Sequence, residues 1–170
     1  SSDWIKSKIG VGHVLQERLS GDEQKNEQDA LAAYEDALGY VEDKSAVWAK
    51  IQNGIANTLQ NTRFGDTEQN QEKARVAFEG ARSVFKSGSL EYARVSASLG
   101  NFYQDRLHGN PTENHRTSIA HYKKALSILE EGSLDWANVQ LGLGNALAFG
   151  DLDGNGSDHR AAIDAYSSAA

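Results

Sequence analysis

Apolar positions along this chain recur with the period of a helix, and short polar stretches break the pattern at regular intervals. Ile5, Ile9, Val11, Val14, Leu15 and Leu19 stand mostly at helical spacing, which gathers side chains on one face. Ile119, Tyr122, Leu126 and Leu129 make a second stripe within HRTSIAHYKKALSILEE, residues 115–131. No run of any length shows the period-two alternation of a half-buried strand. The pattern predicts an all-α chain.

The helical segments repeat. Trp4, Trp48, Tyr92 and Trp136 follow one another at steps of 44 residues. Gly12, Ala56, Gly100 and Gly144 keep that step as a column of small residues. His13, Asn57, Asn101 and Asn145 keep it as a polar column, and Tyr34, Phe78, Tyr122 and Tyr166 as an aromatic one. The phrases VGHVLQERLSGD, IANTLQNTRFGD and LGNFYQDRLHGN mark one place in three successive units. A fixed period of this length is the mark of a stacked array, in which each unit buries its apolar face on copies of itself. The repeats run about 4–47, 48–91, 92–135 and an incomplete 136–170.

Each repeat is predicted as two helices. The first runs from the aromatic anchor to about Leu19 in repeat one. The second follows an Asn or Asp at 26, 70, 114 or 158, read as its N-cap. Gly88 and Gly132 close a pair, and Ser89 and Ser133 cap the helix after it. Gly142 and Gly144 fall inside a helix, where each glycine costs about 1 kcal/mol against alanine. That cost implies close approach of neighbouring backbones, with Tyr122 filling the space over its neighbour. The chain opens inside a repeat, without Met, and stops inside the second helix of the fourth. No polar capping face is visible at either end. It therefore reads as a fragment of a longer protein, able to self-associate through exposed repeat ends.

SASLGNFY, followed by Ser118, Tyr122 and Ala125, resembles a tetratricopeptide repeat, whose pattern is Trp-x2-Leu-Gly-x2-Tyr, then Ala-x3-Phe, then Pro. Leu99, Gly100 and Tyr103 match directly, Ser118 stands for the Ala and Tyr122 for the Phe. Ser96 sits where the family often has Trp, the closing Pro is absent, and the period exceeds the family's roughly 34 residues. The extra length lies in QDRLHGNPTENH and EEGSLD. This long form resembles the arrays that precede CHAT-type, caspase-like protease domains in bacteria. The resemblance covers the whole chain.

The resemblance implies a right-handed superhelical solenoid of helix-turn-helix repeats, with the first helices lining a concave groove. It implies a protein–protein interaction scaffold, a regulatory part of a larger bacterial protein, holding a peptide, a partner helix or a neighbouring domain. By resemblance, His13, Asn57, Asn101 and Asn145 point into that groove, as do Lys6, Lys50, Arg94 and Asn138 seven residues earlier. Gln16, Gln60 and Gln104 come one turn later. Amides there can satisfy the backbone of an extended peptide, and the cations can hold its carboxylates. The plainer alternative is that the Asn column ties helix to helix and the cations form a solvated face.

Composition narrows the partners. Among 170 residues, 24% are charged and the net charge is −7, which disfavours a nucleic-acid backbone or an anionic membrane as partner. No apolar run reaches the roughly 18 residues of a membrane span. No signal-peptide pattern opens the chain, and the expected location is cytoplasmic. There is no cysteine, so thiolate catalysis, disulfides and Cys-ligated zinc are excluded.

His13, His108, His115, His121 and His159 fall in no metal-ligand spacing and read as solvated surface groups. No nucleophile motif is present. Glu42–Asp43 and Glu130–Glu131 read as exposed helix ends. No enzymatic activity, cofactor or metal is expected of these residues, and any enzyme domain would lie outside them. GLGNALA from Gly142 is like a dinucleotide fingerprint, but it falls mid-helix with no strand before it. DLDGNGSDHRAA is like the first half of a calcium loop, with Asp151, Asp153, Asn155, Gly156 and Ser157 in place. Ala162 stands where the bidentate Glu is required, and the stretch is in step with the other turns, so a polar turn is the favoured reading. The alternatives to a binding scaffold are an assembly spacer without a peptide ligand and, more distantly, a calcium or small-ligand sensor.

Overall fold

The computed structural model describes residues 2–16, 21–62, 64–149 and 157–169, the side chains of 149 and 157–159 excepted. The described residues form eight helices and no strand. The chain divides into two compact units, Ser1–Phe85 and Lys86–Ala170. The first holds α1 (Ser2–Gln16), α2 (Glu23–Leu38), α3 (Ala46–Asn61) and α4 (Thr67–Val84). The second holds α5 (Leu90–Asp105), α6 (Pro111–Leu126), α7 (Leu134–Phe149) and α8 (Ser157–Ala169).

Within each unit neighbouring helices pack in sequence, as in an α-repeat. In the first, α1 lies on α2, α2 on α3 and α3 on α4, and α1 also touches α3. In the second, α5 lies on α6, α6 on α7 and α7 on α8, and α5 touches α7. The end of the first helix expected near Leu19 lies outside the described residues, as does most of the Asp151–Ser157 stretch.

Two kinds of turn produce this order. Between hairpins, Ser45, Ser89 and Ser133 accept from the N–H groups of Trp48, Tyr92 and Trp136 at 3.1, 3.1 and 3.2 Å. Ser89 and Ser133 are the caps expected and Ser45 is a third of the same kind, since a hydroxyl satisfies a backbone donor that the first helical turn leaves open. Gly88 and Gly132 precede two of them at φ 97 and 80, and Lys44 holds the same place at φ 59.

Within hairpins, the expected N-cap at Asn26, Asn70 and Asn114 is corrected by one turn. Asp22, Asp66 and Asn110 are the caps, accepting from the N–H of Lys25, Gln69 and Glu113 at 3.1, 3.0 and 3.1 Å. The Asn column instead sits inside the first helical turn and reaches backwards. Asn70 Nδ2 donates to the carbonyl of Phe64 and Asn114 Nδ2 to that of His108, each at 2.9 Å. A cap side chain must lie in extended backbone before the helix, and these residues are already helical. The second helix of repeat three is also shorter than the 115–131 run. Ser127 ends it, its N–H bonding to the carbonyl of Lys123 at 3.1 Å, while Leu129 stays buried in the turn beyond.

Each unit has its own core. In the first, Ala30, Tyr34, Ala37 and Ile51 are buried, with Ile5, Ile9 and Ile55 against them. In the second, Tyr122, Ala125, Leu129, Val139, Leu143 and Leu147 lead the cluster, with Trp136 and Ile119 beside it. Full burial of a large side chain of this kind is worth about 1.5–3 kcal/mol. Ser118, standing where the family pattern has Ala, donates its hydroxyl to the carbonyl of Gly100 at 2.8 Å and so ties α6 to α5.

The small column meets side chains rather than backbones. A Cβ built on Gly12 would lie 2.6 Å from the Tyr34 ring, and one on Gly144 would lie 2.6 Å from Tyr166. Each tyrosine is the filler expected, and the glycines make room for its ring.

Candidate functional site

The face to consider is the exposed side of the first helices, α1 beside α3 in one unit and α5 beside α7 in the other. Lys6, His13 and Lys50 are exposed there, while Gln16, Asn57 and Gln60 are half-buried. In the second unit Arg94, Asn101, Asn138 and Asn145 are exposed and Gln104 is half-buried.

A tyrosine hydroxyl from the second helix organises the polar column in three of the four repeats. Tyr122 Oη stands 2.6 Å from Asn101 Oδ1 and 3.1 Å from Gln104 Oε1, with one proton to share between them. Tyr34 Oη lies 3.2 Å from His13 Nδ1 and 3.3 Å from Gln16 Oε1. Tyr166 Oη donates to Asn145 Oδ1 at 2.8 Å. Asn101 and Asn145 are thus each tied to the second helix of their own hairpin. Burial, aided by the charge of Asp105, raises the Tyr122 phenol above its ordinary pKa, so the hydroxyl remains a donor throughout the neutral range.

Repeat two breaks the scheme. Phe78 stands where the others have tyrosine and brings no hydroxyl. Gln60 Oε1, in register with Gln16 and Gln104, is buried without a hydrogen-bond partner.

Neighbouring acids temper the cation row. Arg94 Nε donates to Asp135 Oδ2 at 2.8 Å, bridging α5 and α7. Lys6 Nζ lies 3.6 Å from Asp3 on its own helix, with both groups open to water. Such exposed pairs contribute little to stability, and both stay within reach of a competing carboxylate.

Sequence reasoning missed the tyrosine hydroxyls and Asp135. It also missed an open groove of about 600 Å3 on the first unit, lined in part by Trp48, Ile55, Leu59 and Val76. A constant step of 21 residues from the polar column to the aromatic column was the available signal for the first. The histidines are not uniformly solvated. His121 stacks on Tyr103 with ring centroids 5.6 Å apart, and His115 is half-buried with Nε2 shielded from water. Gly142 and Gly144 lie inside α7. Among the described residues, no group of three His, Asp or Glu side chains is arranged to hold a metal ion. No described helix is long and apolar enough to cross a membrane. No protein-family model and no curated protein matches the chain.

Proposed function

We propose that this chain is a tetratricopeptide-type interaction segment that holds an extended peptide along the exposed face of its first helices. One observation carries the reading. The oxygens of Asn101 and Asn145 are engaged by Tyr122 and Tyr166 from behind, while both residues remain exposed. An amide fixed by its oxygen turns its two N–H donors toward solvent with little freedom left to lose. A donor held in place binds a peptide carbonyl or carboxylate at lower entropic cost than a mobile one. Lys6 and Lys50 on the first helices of the first unit, and Arg94 on a first helix of the second, add attraction for acidic side chains of the ligand.

The test is a peptide array of extended acidic and neutral sequences, read with the parent chain and with two variants. Asn57→Ala with Asn101→Ala should weaken every bound peptide while helicity by circular dichroism stays unchanged. Lys6→Glu, Lys50→Glu and Arg94→Glu together should remove the acidic peptides selectively. Peptides held equally by all three proteins would move binding off this face. A loss of helicity in the alanine variant would leave the column a structural tie alone.

A further inference from the structure

We propose that the groove between α2 and α4 of the first unit docks a partner segment that carries a lysine among large apolar side chains, the lysine resting on Trp48. Among the described residues α2 and α4 do not pack on each other, and α3 packs on both. Glu35 of α2 lines one wall, Val76 and Gly80 of α4 line the other, and Trp48, Ile55 and Leu59 of α3 make the floor. Val76 is 56% exposed, and Ile55 and Leu59 are half-buried. The residues in their register in the second unit, Leu143 and Leu147, are buried. The same floor is therefore covered in the second unit and open in the first.

The anchor aromatic carries a lysine in two other repeats. Lys8 Nζ stands 5.5 Å from the centre of the Trp4 ring, and Lys124 Nζ stands 5.9 Å from that of Tyr92. An ammonium group is attracted to the negative face of such a ring. The two lysines come from different columns of the repeat. Repeat two lacks both, because Gln52 holds the place of Lys8 and Gly80 the place of Lys124. Among the described residues no cation lies over Trp48. Gly80 also leaves the outer end of the indole uncovered, since a Cβ there would stand 3.3 Å from Cη2. Repeat four has Gln140 and Ser168 at the two places, but Trp136 packs against the core of the second unit.

Charge selects the same ligand. Lys8, the lysine on Trp4, is paired with Asp36 at 2.7 Å. Glu35 stands ready to do the same for a lysine entering over Trp48, because both line the groove. α2 as a whole carries Glu23, Glu27, Asp29, Glu35 and Asp36 against Lys25, so the field on this wall attracts cations. Lys73 also lines the groove, two helical turns before Gly80 and so about 10 Å along α4 from it. Apolar neighbours of the incoming lysine cover Ile55, Leu59 and Val76, which supplies the burial that a lone ammonium lacks. The site uses none of the amides or cations of the first-helix face.

Fluorescence polarisation with labelled short peptides tests this on the chain. One series moves a single Lys through a Leu- and Phe-containing sequence, and a matched series has norleucine in its place. The parent should bind the best Lys peptide about tenfold more tightly than its norleucine match. Gln52→Lys and Gly80→Lys each restore a lysine that another repeat has, so each should fill the site from within and erase that preference. Glu35→Gln should weaken the Lys peptide alone and flatten its dependence on salt. Asn57→Ala with Asn101→Ala should leave this binding unchanged, which separates it from the amide column. Circular dichroism checks that both lysine variants keep the parent helicity, and Gln52→Lys carries the test if Gly80→Lys does not. Equal binding of the two series by the parent overturns the proposal, as does binding of neither. A Lys preference that survives in a folded lysine variant, or that disappears with the two asparagines, places the cation elsewhere and overturns it too.

Discussion

The ring of Tyr122 occupies the space that a side chain on Gly100 would need, since a Cβ built there would stand 2.6 Å from both Cδ1 and Cε1. In α1 of the other unit, Gly10 has nothing within 4 Å of the same added atom. One substitution at two helical glycines should therefore have opposite signs. Gly10→Ala should stabilise by up to about 1 kcal/mol through helix propensity. Gly100→Ala should destabilise by about 1–3 kcal/mol through overpacking, and Gly100→Leu by more. Urea unfolding of the variants decides it. A stabilising Gly100→Ala would mean that the ring moves aside freely and that the small column has no packing role.

Repeat two offers a gain rather than a loss. Gln60 Oε1 is buried without a partner, where Gln16 and Gln104 each accept from a tyrosine. Phe78→Tyr should supply the missing hydroxyl and raise stability by about 0.5–1.5 kcal/mol, the usual net worth of one hydrogen bond. The melting temperature of the variant should rise, and Gln60→Leu in the Phe78→Tyr background should abolish the gain. A lower melting temperature for Phe78→Tyr alone would show that no room exists beyond the ring.

Lys44 holds φ 59 in the place where Gly88 and Gly132 turn the chain at φ 97 and 80. An L side chain in that region is strained against the following carbonyl, whereas glycine adopts it freely. Lys44→Gly should stabilise the first unit by about 0.5–1 kcal/mol, less whatever glycine adds to the freedom of the unfolded chain. Gly132→Ala should do the reverse in the second unit. Equal and small effects at both positions would mean that these turns relax to another conformation.

The repeat was legible because its signals are local and redundant. A 44-residue step, a small column and Ser caps agree wherever they are sampled. The N-cap was misplaced by one turn because Asp22 and Asn26, or Asn110 and Asn114, are all residues of capping type. The choice between them depends on the turn just before, where Gly21 and Gly109 take φ 97 and 93. The polar column was legible as a column but its partner was not. The Tyr122 to Asn101 bond spans two helices, and no spacing rule within one helix yields it. The Arg94 to Asp135 bridge was hidden for the same reason, because its two residues meet only when α5 lies beside α7.

Asp105 ends α5 beside this network, and partial burial of its carboxyl raises its pKa above the ordinary aspartate value. A carboxylate at a helix C-terminus also faces the negative end of the helix dipole. Both effects disfavour the charged form in the folded state. The folded pKa is thus above the unfolded one, so the folded chain binds the proton more tightly, and stability is lost as pH rises from the unfolded pKa through the folded one. Asp105→Asn removes this loss. The variant should melt at a higher temperature than the parent at neutral pH, and the difference should shrink as pH falls below the aspartate range. Because the Asp105 charge also helps to raise the Tyr122 phenol, the same variant should let Tyr122 ionise at a lower pH, read by its ultraviolet absorbance. A stability difference that is constant across the acid range would mean that the Asp105 charge is not its cause.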